Sequence, residues 1–433
     1  MRKNVLVAQS GGPSPVINAS LAGVIEGCHH FPDKFGRILA GWHGVEGILT
    51  EELLDLDAQN PEELKYLKHT PASGFIGTCR YKLHEEHEQE FQRILDVFRA
   101  HDIGYFFYIG GNDSMDTAHK ISLLARSENY ELISVGIPKT IDNDLGTDLV
   151  NEQGSIHSPL IDHTPGYGST ARYWATLAQI ANQENQAICG SNPVSVFQAM
   201  GRTAGFIPAA ARLSDPERNI PMQLYLAETD HSLESMADNV NQKLKEAGRC
   251  IVIVSEGFDT GALGAVHDRF GHIDYGASES TVAQRVVNHL NKSGLAVRGK
   301  AEGQIPGILQ RSTSLYTSAV DLEEAYNVAL KSVELAGKGE DGYMATILRN
   351  PGDEYSVFYD KVPLVEVANS ERQLPSSWIT DDGLDVTDDF IKYARPLIGK
   401  EPPHIFFENG LHRFARLNPV FIEPKLPVFE LRE

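Results

Sequence analysis

The sequence predicts a doubly wound α/β domain with a phosphate site along one edge of its sheet, followed by a second α/β unit. In the first third of the chain, a short apolar run leads into a glycine pair and then a helical pattern, and it does so twice. A third apolar run, Leu132-Ile133-Ser134-Val135-Gly136-Ile137, leads into the polar heptapeptide Pro138-Lys139-Thr140-Ile141-Asp142-Asn143-Asp144. Past Gly190, strand-like runs alternate with helical patterns again, which defines a second α/β unit. Sheets of this kind keep their chemistry at the carboxyl ends of the strands.

Val5-Leu6-Val7-Ala8 reads as the first strand, Ser10-Gly11-Gly12-Pro13 as a turn, and Ile17, Leu21, Val24 and Ile25 as the buried face of a helix. Such a turn presents backbone N–H groups to an anion at a helix N-terminus, although tight-turn chemistry alone also uses paired glycines. Gly74 to Arg80 is a loop with a lone arginine, for which a solvated surface position is the plain alternative. A helix with Phe91, Ile94, Leu95 and Phe98 inward precedes the aromatic strand Tyr105-Phe106-Phe107-Tyr108-Ile109. That strand runs into Gly110-Gly111-Asn112-Asp113-Ser114 and a helix reaching about Arg126.

The heptapeptide offers two carboxylates two residues apart, with a hydroxyl and a lysine just upstream. Phosphoryl transfer needs a metal ligand, a proton acceptor and a cation, and these residue types supply all three. A strand-ending turn would use similar residues. From Thr147 to His163 the chain is polar and irregular and reads as a mobile loop.

In the second unit, Tyr173, Trp174, Leu177 and Ile180 mark a helix. Strands are expected at 193–197, ending in Met200-Gly201-Arg202, at 223–227, ending in Glu228, and at 250–254, ending in Ser255-Glu256-Gly257. Helices are expected around Leu233 to Leu244, Val282 to Leu290 and Leu322 to Ala329, with a turn at Pro306 to Arg311. After Gly337 the pattern weakens; Asn350-Pro351-Gly352-Asp353 is a turn and Val362 to Val365 an edge strand.

Of the 433 residues, 41% are hydrophobic and 22% charged, as in ordinary globular proteins. With 38 Lys and Arg against 59 Asp and Glu the net charge is −21, which disfavours nucleic acid and anionic membrane as partners. Cys28, Cys79, Cys189 and Cys250 are isolated and read as reduced thiols. No apolar run reaches the ~20 residues of a membrane span, and the N-terminal run is too short for a signal segment, so a cytoplasmic location is expected.

Taken together, Gly11-Gly12 with Asn18-Ala19, Gly110-Gly111-x-x-Ser114, Thr140-Ile141-Asp142-Asn143-Asp144, Met200-Gly201-Arg202 and Gln310-Arg311 resemble the phosphofructokinase family over most of residues 1 to about 340. The resemblance implies two Rossmann-like α/β domains with the active site in the cleft between them. Residues 1–150 plus about 312–345 would bind the phosphoryl donor, residues 151–311 the sugar phosphate, and residues 346–433 would form an extension of unassigned role.

In that family Asp142 would be the base for the sugar 1-hydroxyl, with Lys139 and Arg202 also catalytic. Asp144 and Asp113 would bind Mg²⁺. Gly11, Gly12, Arg80, Gly111, Asp113, Ser114 and Lys139 would face the donor. Thr140, Ile141, Asp142, Met200, Gly201, Arg202, Glu228 and Arg311 would face the sugar phosphate, Glu228 accepting from its hydroxyls and Arg311 gripping its 6-phosphate.

Asp113 and Lys139 stand where ATP-using members carry glycines, so the chain resembles the pyrophosphate-dependent branch. A carboxylate at 113 crowds and repels the α-phosphate of ATP, and a lysine at 139 suits the smaller donor. The implied substrates are pyrophosphate and fructose 6-phosphate, in a homodimer or homotetramer. Sedoheptulose 7-phosphate as acceptor, ATP as donor, and a non-catalytic regulatory subunit are the alternatives. Asn112 replaces a common metal-binding aspartate, and Pro193, Glu302 and Ile308 depart from the usual 6-phosphate grip.

Overall fold

The computed structural model describes residues 2–72, 74–81, 83, 88–150, 159–260, 280–368 and 370–431. Its main strands in chain order are β1 (Lys3–Gln9), β2 (Phe35–Gly41), β3 (Leu53–Asp55), β4 (Ile103–Gly110), β5 (Ile133–Pro138), β6 (Val194–Ala199), β7 (Met222–Tyr225), β8 (Cys250–Ser255), β9 (Ala301–Gln304), β10 (Tyr343–Arg349) and β11 (Val357–Pro363). A seven-stranded sheet has the order β11-β10-β5-β4-β1-β2-β3 and a four-stranded sheet the order β7-β8-β6-β9. These are the two α/β domains that the alternation predicts.

The central strands of the first sheet are parallel. Their near-continuous apolar runs follow from burial on both faces by crossover helices. Gln9 pairs with Ile109 and Gly110 with Pro138, so β1, β4 and β5 end at one level. Three polar loops therefore leave the sheet side by side at its switch point. In the second sheet Ala199 pairs with Ser255, so β6 and β8 deliver Arg202 and Glu256 from neighbouring strand ends.

Sequence reasoning passes over β2, β3, β9 and β10. Strand β9 is Ala-Glu-Gly-Gln with three of four residues exposed, and so carries no apolar alternation to find. Strand β10, Tyr343–Arg349, belongs to the first sheet and runs across the position, about 345, at which the sequence suggests that the first domain ends. Val362 and Pro363 do close an edge strand, β11, paired antiparallel to β10; proline is tolerated there because an edge needs no ladder donor.

The segment beyond 346 is woven through both domains. Leu374, Trp378, Val386, Phe390, Tyr393 and Leu397 join the core around helix Tyr167–Ile188. Further on, the chain crosses β3, with Leu54 bridged to Phe421. The polar loop expected from Thr147 to His163 lies partly outside the described residues. Its last turn is buried, since Ile161, Asp162 and His163 are at most 5% exposed.

Candidate active site

The loop after β1 turns at Gly11, whose φ of +77° favours glycine. Thr78 Oγ1 donates to Gly11 O at 2.9 Å and Gly11 N donates to Cys79 O at 3.0 Å. These bonds dock the Gly74–Arg80 segment onto the glycine loop and aim Arg80 at it. A Cβ placed on Gly12 would meet Arg311 Nη1 at 2.5 Å and Arg80 Nη2 at 3.4 Å, and one on Gly11 would meet Lys139 Nζ at 3.2 Å. Three cations therefore converge on Gly11 and Gly12. The Arg311 guanidinium, expected at the sugar 6-phosphate, lies beside Arg80 at Gly12 and also within the field of Asp142, Glu256 and Arg202.

Gly111 caps helix Asn112–Ser127, which places Asp113 in its first turn, and Ser114 N donates to Gly111 O at 3.0 Å. Lys139 N donates to Gly110 O at 3.0 Å, which fastens the heptapeptide to this second loop. Lys139 is 4% exposed. Burial first, then Arg80 and Arg311, pull its ammonium down to about 7, against the attraction of Asp142 and Asp144.

Asp142 N donates to Thr140 Oγ1 at 3.1 Å, and the Thr140 hydroxyl also hydrogen-bonds the Asp144 carboxylate. Thr140 thus braces the acids from within the loop. Desolvation raises the Asp142 carboxyl, opposed most strongly by Arg202 and then by Lys139 and Arg311. Asp144 is pushed up to about 7 by desolvation and then by Asp142. Such a pair of carboxyls suits a hard divalent cation, which relieves the repulsion. Among the described residues no group of three His, Cys, Asp or Glu side chains is set to hold a metal.

Across the cleft, Met200 N donates to Gln310 Oε1 at 3.0 Å and Ser255 Oγ donates to Gly201 O at 2.6 Å. A Cβ on Gly257 would fall 1.7 Å from Arg202 O, so only glycine lets β8's loop pack beneath Arg202. Glu256, which sequence reasoning noticed only as a strand end, belongs to the site. It is raised to about 7 by desolvation and then by Asp142, and Arg202 and Arg311 act on it in the other direction.

Glu228, expected to accept from sugar hydroxyls, is not brought into this charge cluster. Its Oε1 accepts from Gly205 N and Leu374 N, both at 2.8 Å, and its Oε2 is buried without a hydrogen-bond partner. Ile141 is buried at 7% exposure and anchors the loop in the second core.

Two doubly wound domains whose strand-end loops pool arginines, a lysine and paired carboxylates define a phosphoryl-transfer enzyme. The chain belongs to the phosphofructokinase family, whose pattern matches residues 4–336; members of this family generally use a divalent metal. It is 38% identical over 439 residues to the pyrophosphate--fructose 6-phosphate 1-phosphotransferase of Halomonas elongata, covering 99% of both chains. The pyrophosphate-dependent phosphofructokinase structure from Nitrosospira multiformis superimposes with a TM-score of 0.87 at 36% identity, covering 99% of this chain and 100% of that one. That from Marinobacter aquaeolei gives 0.85 at 37% identity, with the same coverage. No described helix is long and apolar enough to cross a membrane.

Proposed function

We propose that this chain transfers a phosphoryl group reversibly from pyrophosphate to the 1-hydroxyl of fructose 6-phosphate, giving fructose 1,6-bisphosphate and phosphate. The carrying observation is the buried Lys139, held against the Gly11-Gly12 loop with Arg80 and Arg311 beside it. That cluster supplies positive charge for a compact diphosphate. Asp113, opening the helix after Gly111, puts a carboxylate where a nucleoside triphosphate would pass.

Asp142 takes the proton from the 1-hydroxyl as its oxygen attacks the terminal phosphorus. The bridging P–O bond breaks and phosphate leaves with the electron pair. A carboxylate with a raised pKa accepts that proton more readily. Arg202, the strongest opposing charge on Asp142, sits where it can balance charge on the transferred group. Glu256 accepts from the sugar hydroxyls, taking the part first expected of Glu228. Gly12, Gly111 and Ser114 offer backbone and hydroxyl donors to the donor phosphates, Gly11, whose N–H is held by Cys79 O, turns the loop towards them, and Met200 and Gly201 shape the sugar-phosphate side. Arg311 bridges the two substrates. Bound Mg²⁺, held by Asp144 with Asp113 and donor oxygens, would neutralise charge on the phosphates. The setting we infer is a cytoplasmic homodimer or homotetramer, as the resemblance to the family implies.

The test is product formation from fructose 6-phosphate and Mg²⁺ with pyrophosphate, ATP and ADP as donors in parallel. Turnover with pyrophosphate alone is expected. Turnover with ATP as fast as with pyrophosphate would overturn the donor assignment.

A further inference from the structure

The segment Glu371–Leu374 touches the strand-end loops of both domains. Leu145 bridges to Glu371, Glu371 Oε1 accepts from Thr203 Oγ1 at 2.7 Å, and Leu374 N donates to Glu228 Oε1 at 2.8 Å. Between them, Arg372 is fully buried at 0% exposure, although it lies well outside the stretch that carries the family's motifs.

Its guanidinium hydrogen bonds go to uncharged oxygens. Nε donates to Asn143 O at 2.7 Å, Nη2 to Asn143 Oδ1 at 2.7 Å and to Asp162 O at 3.0 Å, and Nη1 to Ile161 O at 2.7 Å. Arg372 N also donates to Asp144 O at 2.9 Å. Burying a cation costs free energy, and an ion pair is the usual compensation. Here the planar fork instead ties the turn at Asn143 to the carbonyls of Ile161 and Asp162, a geometry that lysine lacks.

That turn needs holding. Asn143 has a φ of 59°, a left-handed conformation uncommon for a residue with a side chain. It stands between Asp142 and Asp144, so its backbone sets how the two carboxylates diverge. Tyr393 completes the brace: its hydroxyl accepts from Asn143 Nδ2 at 2.9 Å and donates to Asp162 O at 2.9 Å. Thr164 N donates to Asn143 Oδ1 at 3.1 Å.

We propose that Arg372 is a positioning residue for phosphoryl transfer, fixing the left-handed turn at Asn143 so that Asp142 and Asp144 point at the reacting groups. The inference rests on the phosphotransferase reading above. It gives the C-terminal segment a part in the reaction without any contact to substrate.

The experiment uses full-length Arg372→Lys, Arg372→Ala and Tyr393→Phe, with folding followed by circular dichroism and rates scaled to folded protein. Misplacing a reacting group by about 1 Å costs roughly 10²-fold. Arg372→Lys should therefore lose kcat by about that factor, with KM for donor and sugar phosphate nearly unchanged and a displaced pH profile of kcat. Tyr393→Phe should lose less in the same pattern, and guanidinium chloride at low concentration should partly restore Arg372→Ala.

If the arginine variants do not fold, Tyr393→Phe decides on the same readouts. Unchanged kcat per folded molecule, or losses confined to KM, would overturn the proposal. The reference is wild-type turnover with whichever donor it accepts. A donor other than pyrophosphate would therefore revise the proposed function and leave this test standing.

Discussion

Lys139 Nζ donates to the carbonyl oxygen of Gly12 at 2.8 Å, so a cation carried by β5 is stored against the loop that follows β1. Burial and two neighbouring arginines bring its pKa down to about 7, so without a bound anion the amine loses its proton above that pH. A diphosphate binds the protonated form better, so binding of pyrophosphate and uptake of the proton are linked.

KM for pyrophosphate should accordingly rise as pH goes from 7 towards 9, by at most about tenfold per unit. Lys139→Arg, which stays charged, should flatten that rise. Lys139→Gly removes a charge-assisted hydrogen bond of ~1.5–3 kcal/mol, a fall of roughly tenfold to 10²-fold in kcat/KM for pyrophosphate. Initial rates across this pH range check both, and a wild-type KM independent of pH would refute the linkage.

Donor choice should yield to Asp113. Its carboxylate occupies the first turn of helix Asn112–Ser127, where an anionic phosphate would otherwise gain from the helix dipole. Asp113→Gly removes bulk and charge together and should raise kcat/KM for ATP while lowering that for pyrophosphate. Because Lys139 N is bonded to Gly110 O at 3.0 Å, the two positions share one site, and their effects on donor preference should not add. A double variant whose preference equals the sum of the single changes in log kcat/KM would count against this.

Stability should carry a separate pH signature from His163. Its Nδ1 lies 2.8 Å from Asp162 Oδ1 and its Nε2 2.7 Å from Glu324 Oε2. Those two carboxylates hold the imidazolium up to about 9, against burial, which acts to lower it. A raised folded pKa contributes stability that is complete below the unfolded value of 6.5 and is lost as pH rises through 9. The full contribution is about 3 kcal/mol. Lys139 acts in the opposite sense between about 7 and 10.5, but it is common to both proteins in a comparison with His163→Gln. Urea unfolding should show the wild-type advantage shrinking from about pH 6 to pH 10, and a constant difference would mean that the histidine is neutral.

The sheets and the donor loops were legible because their signals are local. Val5 to Ala8, Tyr105 to Ile109 and Leu132 to Ile137 are apolar runs ending in glycine or polar loops, and each became a central strand. Arg372 was not legible, because it comes from a stretch without periodicity and its partners, Asn143 and Asp162, lie more than two hundred residues earlier. His163 was read as part of a mobile loop for a related reason: one of the two carboxylates that make its burial favourable, Glu324, comes from the distant helix Ala319–Gly337.

What separates Glu228 from Glu256 is strand order, which local pattern does not carry. Both glutamates follow apolar strands of the second domain, but β8 lies between β7 and β6, so Glu256 emerges next to the strand that delivers Arg202. Glu228 emerges from the sheet edge and is held by Gly205 N and Leu374 N. If Glu256 meets the sugar, Glu256→Gln should raise KM for fructose 6-phosphate, since a carboxylate acceptor of a hydroxyl is worth ~1.5–3 kcal/mol, or roughly tenfold to 10²-fold. Its KM for pyrophosphate should change far less. Glu228→Gln keeps an acceptor for the two backbone donors and loses only charge, so it should leave both KM values within about threefold while altering thermal stability. Steady-state kinetics of the two variants decide between the residues: a large fructose 6-phosphate defect in Glu228→Gln with none in Glu256→Gln would return the role to the edge strand.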